Sequence, residues 1–138
     1  ALPSPGEIDK LGVDLELTPE PWDEVAPFHT GAAVRAEDEI AREREIAEIW
    51  FWRAALSSDG EPRDPEDRQA IRTVAEEAAA AHLAQTVGGD FAVGGRPFAS
   101  IDQPEKDEIM AGAAARLRAL NWVCGYGDTW ADTPLDVT

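Results

Sequence analysis

Residues 35 to 57 read RAEDEIAREREIAEIWFWRAALS, and their pattern predicts an amphipathic helix. Acidic residues crowd the start of this segment, where the helix dipole favours negative charge. Two adjacent rows of mainly apolar side chains follow helical spacing: Ile40, Ala47, Trp50 and Ala54, and beside them Ile46, Ile49 and Arg53. Because the run IWFW is apolar nearly all round, we expect this part of the helix to be covered on more than one side.

A second helix is predicted after the loop SSDGEPRD. Asp64 is expected to cap it, with Pro65 in the first turn, where the missing N–H costs nothing. Gly88–Gly89 is expected to end it. One face carries apolar residues and a histidine: Ile71, Val74, Ala75, Ala78, His82 and Leu83.

Short apolar alternations flank Gly94–Gly95, which predicts a tight β-hairpin. Phe91 and Val93 precede this turn, and Phe98 follows it. Since Pro97 has no N–H to donate to a ladder, we expect the hairpin to form an edge or a ribbon.

A third helix is predicted to begin at Asp102, with Glu105 reaching back in a capping box, and to end at Gly125. The expected apolar stripe consists of Ile109, Met110, Ala113, Leu117, Leu120 and Cys124.

These elements predict a mainly α fold. We expect a three-helix core, orthogonal or bundle-like, with a small β-hairpin and an irregular N-terminal arm around tryptophan-rich packing. The length suits one domain over residues 1–138, with residues 1–34 as an extended arm and residues 35–138 as the helical body. Trp22, Val25 and Phe28 have the spacing expected of residues that anchor the arm.

The chain is strongly acidic, with 28 acidic and 12 basic residues and a net charge of −16. Phosphate contacts need Lys and Arg, so binding to nucleic acid or to anionic membrane surfaces is disfavoured. A cationic partner would be attracted, although excess acid also serves solubility alone. The single cysteine excludes an intrachain disulfide, and no apolar run approaches the ~20 residues of a membrane span. We therefore expect a cytoplasmic protein.

Several motifs in the C-terminal part of the chain carry a family resemblance. DFAVGGRPFASIDQPEKDEI from Asp90 onward and RALNWVCGYGDTWADTPLDVT near the end, together with EIAEIWFWRAAL upstream, resemble a bacterial family, domain-of-unknown-function family four-two-seven-two. The resemblance covers about the last two-thirds of the chain, and Ala-Leu-Asn-Trp followed by Trp-x-Asp is its most specific part. Family members usually carry a further helical region before this part, which we expect this chain to lack. The resemblance implies a fold and brings no established activity.

Four polar residues on otherwise apolar faces are candidate ligand-binding residues: Arg53, His82, Arg118 and Asn121. In a functional interpretation, Asn121 orients a ligand while Arg118 or Arg53 binds its carboxylate or phosphate. In the structural interpretation, which we favour, Asn121 bonds backbone of the arm or hairpin and Arg118 pairs with an acid such as Glu45 or Asp132, because buried polar groups need partners in either case.

The remaining chemistry-bearing residues favour structural roles. His82 has no Cys or His at metal-ligand spacing, and Cys124 near a helix C-terminus is expected to be a buried, unreactive thiol. Asp128, Asp132 and Asp136 match no calcium loop and are expected to be solvated. We assign no catalytic residue, no metal site and no cofactor.

The hypothesis that follows is a non-catalytic protein-interaction module whose acidic surface docks a partner protein or another subunit. The residues 37–49, EDEIAREREIAEI, are the expected docking face. The alternative is a small-ligand-binding or hydrolytic enzyme that uses Asn121, Arg118 and His82. A homo- or hetero-oligomer is compatible with either, including one in which another chain supplies the missing helical region.

Overall fold

The computed structural model describes residues 4–7, 22–33 and 35–135. The helices among these residues are α1 (Val25–Gly31), α2 (Glu37–Ala55), α3 (Pro65–Ala80) and α4 (Gln103–Val123). Three short strands, β1 (Thr86–Val87), β2 (Asp90–Val93) and β3 (Arg96–Pro97), and a 3₁₀ turn (Phe98–Ser100) lie between α3 and α4. The predicted fold class is confirmed: three principal helices with a small antiparallel sheet.

The largest interface between elements joins α2 and α4. Arg44 of α2 bonds Asn121 near the end of α4, whereas the Arg53 end of α2 lies with Lys106 near the start of α4, so the two helices run antiparallel. The small side chains of Ala47, Ala54 and Ala113 are buried along this interface, and small residues allow two helices to approach closely. Ile109 and Leu117 fill the space between them.

The N-terminal caps of α3 and α4 follow the sequence prediction. The Asp64 side chain accepts a hydrogen bond from the Glu66 N–H, and Asp102 and Glu105 form the expected capping box. Each cap satisfies N–H groups that have no partner within the helix.

The end of α3 differs from the prediction, which placed it at Gly88–Gly89. The helix ends at Ala80 because His82 adopts a left-handed backbone with φ 57°. The Leu83 N–H then bonds the Ala78 carbonyl at 2.8 Å, and the His82 N–H bonds the Ala79 carbonyl at 3.1 Å. These two bonds make a Schellman closure, in which glycine is the usual left-handed residue.

Gly88–Gly89 instead turns the chain between β1 and β2, so the sheet has three strands in the order β1-β2-β3 rather than one hairpin. Both glycines have positive φ, of 61° and 80°, as a two-residue turn of the type I′ class requires. Gly94–Gly95 repeats this geometry between β2 and β3, as predicted. Pro97 lies on the edge strand β3, where it costs no ladder hydrogen bond.

Trp50 forms the centre of the core. It is fully buried and contacts Phe91 edge-on, with ring centroids 5.0 Å apart, and Phe98 at 6.4 Å. The expectation of a tryptophan-rich core is wrong, because Trp122 and Trp130 are each 49% exposed. The interior is instead a single indole surrounded by phenylalanine, alanine and aliphatic side chains.

The N-terminal arm contacts the body at one described place. Pro5 and Gly6 are buried, and a Cβ on Gly6 would lie 2.6 Å from the Ala92 carbonyl and 2.7 Å from the Trp50 ring. Trp22 and Val25 were expected to anchor the arm but are 88% and 53% exposed, since they flank and begin the surface helix α1.

Two further expectations concern the arm and the membrane. The side chain of Phe28, the third predicted anchor, and residues 8–21 lie outside the described residues. No helix in the described ranges combines the length and the apolar content needed to cross a membrane.

Gly6→Ala is predicted to lower the free energy of unfolding by about 1–3 kcal/mol, because the added methyl group overlaps the Trp50 ring and a backbone carbonyl. Urea unfolding followed by circular dichroism measures this difference. Gly31→Ala is the matched control: nothing lies within 4 Å of its Cβ position, so it should be neutral or slightly stabilising. Equal stability of Gly6→Ala and wild type would contradict the packing of the arm on Trp50.

Candidate functional site

Arg53 is a buried side chain with four hydrogen bonds to other side chains. It is 1% exposed, and its Nε and Nη2 atoms donate to the two carboxylate oxygens of Asp90, each at 2.8 Å. Nη1 donates to Ser57 Oγ at 2.6 Å, and Nη2 also reaches Glu61 at 3.0 Å. The guanidinium carbon lies 4.4 Å from the centroid of the Phe98 ring. Arg53 was a candidate for binding the carboxylate or phosphate of a ligand, whereas the carboxylates that it binds here belong to the protein.

Asp90 ties this arginine to the sheet. Its Oδ1 accepts the N–H of Phe91 at 2.8 Å, and its Oδ2 accepts the N–H of Ala99 at 2.9 Å. One carboxylate therefore joins α2, β2 and the 3₁₀ turn. Four hydrogen bonds to a buried carboxylate satisfy it completely.

Glu61 extends the cluster to α4. Lys106, which is 7% exposed, donates from Nζ to Glu61 Oε1 at 2.5 Å and lies 5.8 Å from the centroid of the Phe98 ring. The cluster thus contains two cations, Arg53 and Lys106, and two carboxylates, the buried Asp90 and the partly exposed Glu61, so its net charge is zero. Neutrality and hydrogen bonding are what make burial of such groups tolerable.

Protonation equilibria reflect this pairing. Burial alone would raise the pKa of Asp90, but the hydrogen bonds and positive charge of Arg53, with two backbone amides, outweigh it and hold that pKa below its ordinary value. The pKa of Glu61 is likewise lowered against the effect of burial, through Lys106 and Arg53. Burial alone would lower the pKa of Arg53, but Asp90 and Glu61 raise it.

Asn121 belongs to a second buried cluster at the other end of the α2–α4 interface. It is fully buried, accepts a hydrogen bond from Arg44 Nε at 2.7 Å and donates from Nδ2 to the carbonyl of Pro134 at 2.9 Å. Its backbone carbonyl accepts the Tyr126 N–H at 3.0 Å. The amide therefore clasps the C-terminal tail to α2, rather than the arm or hairpin that the structural interpretation named.

Arg118 lies one turn before Asn121 and behaves differently. Its Nε is buried without a hydrogen-bond partner among the described residues, and the expected ion pair with Glu45 or Asp132 is not formed. Arg118 does not join Asn121 in a shared polar site.

His82 is exposed and occupies the wall of a cleft of about 690 Å³. The cleft lies between residues 4–7 of the arm, the end of α3 and the β2–β3 turn, and Arg96 and Glu105 form an ion pair at 2.7 Å in its lining. The carbonyl of His82 accepts a hydrogen bond from Arg42 Nη2 at 2.5 Å, and that of Ala81 accepts one from Nη1 at 3.4 Å. Placing His82 on the apolar face of the second helix was wrong, because the helix ends before it.

The four candidate residues do not converge. Arg53 and Asn121 belong to different clusters, and neither they nor Arg118 line the cleft that contains His82. Arg44 and Arg53 are nine residues apart on one helix, which separates their levels along its axis by about 14 Å.

The end of α4 and the following turn carry an exposed group of large apolar side chains. Trp122, Val123, Tyr126 and Trp130, here called the C-terminal aromatic patch, are 49–59% exposed. The Trp122 and Trp130 rings contact each other edge-on with centroids 6.1 Å apart, so Trp130 packs the tail against α4. Cys124, predicted to be buried, is exposed; it is the C-cap residue, one position beyond the end of α4.

Sequence reasoning missed Asp90, Glu61 and Lys106 as partners of Arg53, and it also missed the aromatic patch. The spacing of Lys106 before Ile109 on the α4 stripe was a usable signal, because a lysine on an apolar stripe implies a buried carboxylate. The tail aspartates Asp128 and Asp132 are exposed, and no group of three or more potential ligands holds a metal-like arrangement within the described ranges; Asp136 lies outside them.

Comparison with known proteins adds no relative. No family model matches the sequence, and no curated protein or solved structure shows significant similarity to it. The resemblance to domain-of-unknown-function family four-two-seven-two therefore stays a prediction.

Asp90→Asn is predicted to cost about 3 kcal/mol of unfolding free energy at neutral pH, because it leaves the buried Arg53 without its main counter-charge. The substitution should also flatten the acid dependence of stability. The pKa values of Asp90 and Glu61 are lowered in the folded state, so their ionised forms add to the free energy of unfolding. This contribution is fully present above the unfolded-state pKa of about 4 and is lost as pH falls through the lower folded-state values.

Urea unfolding at neutral pH and at steps down to about pH 2.5 measures both effects. Arg96→Gln is the control, because it breaks the exposed pair with Glu105 and should change stability by less than about 1 kcal/mol. If Asp90→Asn were as stable as Arg96→Gln and kept the acid dependence of wild type, the Arg53–Asp90 pair would not stabilise the fold as predicted.

His82→Gly is predicted to raise the free energy of unfolding by about 1 kcal/mol, because glycine adopts the left-handed conformation without the steric cost of a Cβ. The backbone bonds of the Schellman closure are retained. Thermal or urea unfolding checks the sign. Gln85→Gly, at a nearby exposed position without positive φ, should instead be neutral or destabilising; a loss of stability in His82→Gly would show that the imidazole itself stabilises the fold.

Proposed function

We propose that this chain is a non-catalytic protein-interaction module whose acidic surface docks a basic partner protein or subunit. The observation that carries the proposal is the distribution of charge. The Arg53 cluster of two cations and two carboxylates is neutral, so the entire net charge of −16 belongs to the rest of the chain. A field of this size attracts and orients cationic partners.

The first turn of α2 is the densest exposed part of that field. Glu37, Asp38 and Glu39 are consecutive and exposed, and no described side chain caps or neutralises them through a hydrogen bond or an ion pair. Arg35 lies two residues before the turn and is exposed, while Arg42 and Arg44, the next cations on α2, are engaged by the carbonyls after α3 and by Asn121 and Glu48. The acidic turn is therefore available to a partner, in keeping with residues 37–49 as the docking face.

Small-ligand binding is the alternative proposal. Its support is the cleft of about 690 Å³, a volume in the range of ligand pockets, with His82 in its wall. Asn121 and Arg118 do not line the cleft, so His82 is the one residue of the three named for this alternative that supports it. Native mass measurement of the purified chain would reveal a small molecule that stays bound to it.

The main proposal is tested by isolating the tagged chain from its source cells, measuring the native mass of the assembly and identifying the second component. We expect a basic protein whose Kd rises at least about tenfold between about 50 mM and about 500 mM salt, because screening weakens attraction between exposed charges. A free monomer, or a partner whose affinity ignores salt, would count against the proposal.

A matched pair of triple variants locates the effect. Neutralising Glu37, Asp38 and Glu39 to their amides should weaken binding and reduce its salt response. Neutralising three exposed acids of α3, Glu66, Asp67 and Glu76, removes the same charge and should weaken binding less. Equal effects of the two variants would mean that net charge acts without a local docking face.

A further inference from the structure

We infer that the C-terminal aromatic patch is the contact surface for arginine side chains of the basic partner, with the acidic first turn of α2 as its electrostatic rim. This inference rests on the proposed function and specifies its surface and its partner chemistry. The patch consists of Trp122, Val123, Tyr126 and Trp130, as defined above. Tryptophan, tyrosine and arginine are the residues that most often dominate the binding energy of protein interfaces.

The patch is unusual for a protein of this charge. Three aromatic rings and a valine, each about half exposed, lie within nine consecutive residues at one end of the fold. The two indoles contact each other edge-on, which holds them in place while part of each remains accessible to solvent. An ordered, exposed apolar group of this kind is characteristic of a binding surface.

The antiparallel packing of α2 and α4 brings acid to the same end of the molecule. Arg44 lies 5.4 Å from the centroid of the Tyr126 ring and bonds Asn121, so its level on α2 is the level of the patch. Glu37 to Glu39 precede Arg44 by five to seven residues, which places them about 8–11 Å further along the axis, beyond the end of α4.

Two further features favour a cation. The last turn of α4 contains no basic residue, so the negative end of its dipole is not offset there, and Asp128 between Tyr126 and Trp130 is exposed. The guanidinium carbon of Arg44 lies 5.4 Å from the centroid of the Tyr126 ring, so an arginine of the chain itself already contacts this patch. A planar guanidinium stacks on aromatic faces better than the compact ammonium of lysine.

The test uses the intact chain labelled with ¹⁵N and a synthetic peptide of alternating arginine and glycine, with lysine–glycine and glutamate–glycine peptides of equal length for comparison. The indole N–H signals, assigned with single tryptophan variants, report directly on each ring. We expect the Trp122 and Trp130 signals to shift and saturate with the arginine peptide, while those of Trp22 and the buried Trp50 stay unchanged.

Variants then separate the aromatic contribution from the electrostatic one. Trp130→Leu keeps an apolar side chain but removes the aromatic face, and should weaken binding of the arginine peptide about tenfold and reduce its preference over the lysine peptide. Trp22→Leu is the control, since Trp22 is the most exposed tryptophan and lies outside the patch. Circular dichroism confirms that each variant is folded.

The outcomes distinguish the two proposals. Unchanged affinity in Trp130→Leu and Trp122→Leu, with binding still lost in the Glu37–Glu39 variant, would overturn the aromatic contact and leave the acidic module standing. Absence of salt-dependent binding to either cationic peptide would count against both. Concentration-dependent dimerisation of wild type that Trp130→Leu abolishes would overturn the inference by assigning the patch to a second copy of the chain.

Discussion

The bidentate pair of Arg53 and Asp90 is the constraint on which the arrangement of the other elements depends. A guanidinium that is 1% exposed must find its full set of acceptors inside the protein, and only a carboxylate in one position can satisfy both Nε and Nη2. That requirement places β2 and the 3₁₀ turn against α2. Glu61 and Lys106 then bring the loop after α2 and the start of α4 to the same point. Breaking the Arg53–Asp90 pair would leave an uncompensated charge buried among these elements.

The second polar cluster has a different consequence for the surface. Asn121 joins Arg44 to the Pro134 carbonyl, so the chain after α4 turns back instead of extending away. This return places Trp130 against Trp122 at the end of the helix pair. The buried amide thus has a structural role, and the proposed docking surface is an indirect product of it.

Much of the fold was predictable from local pattern. The periodic apolar rows of α2 and α4, the caps at Asp64 and Asp102 and the Gly94–Gly95 turn depend on short-range stereochemistry that a sequence displays directly. The end of α3 was not predictable in the same way. Histidine adopts a left-handed backbone far less often than glycine does, and Arg42, about forty residues away, bonds the carbonyls around His82. The burial of Cys124 was mispredicted because this residue lies just beyond the end of α4, as its C-cap, and not on the buried part of the helix.

The sequence by itself determined that this protein is a mainly helical, acidic chain, that a buried Asn121 would need partners, and that no familiar catalytic motif is present. Only the tertiary structure decided which partners those are, because hydrogen bonding specifies a number of acceptors but not their position along the chain. It also decided that the polar candidates do not converge on one site and that the aromatic patch and the acidic turn of α2 belong to the same end of the α2–α4 pair. These placements depend on the antiparallel register of α2 and α4, which is selected by long-range packing and is not encoded in any local spacing of residues.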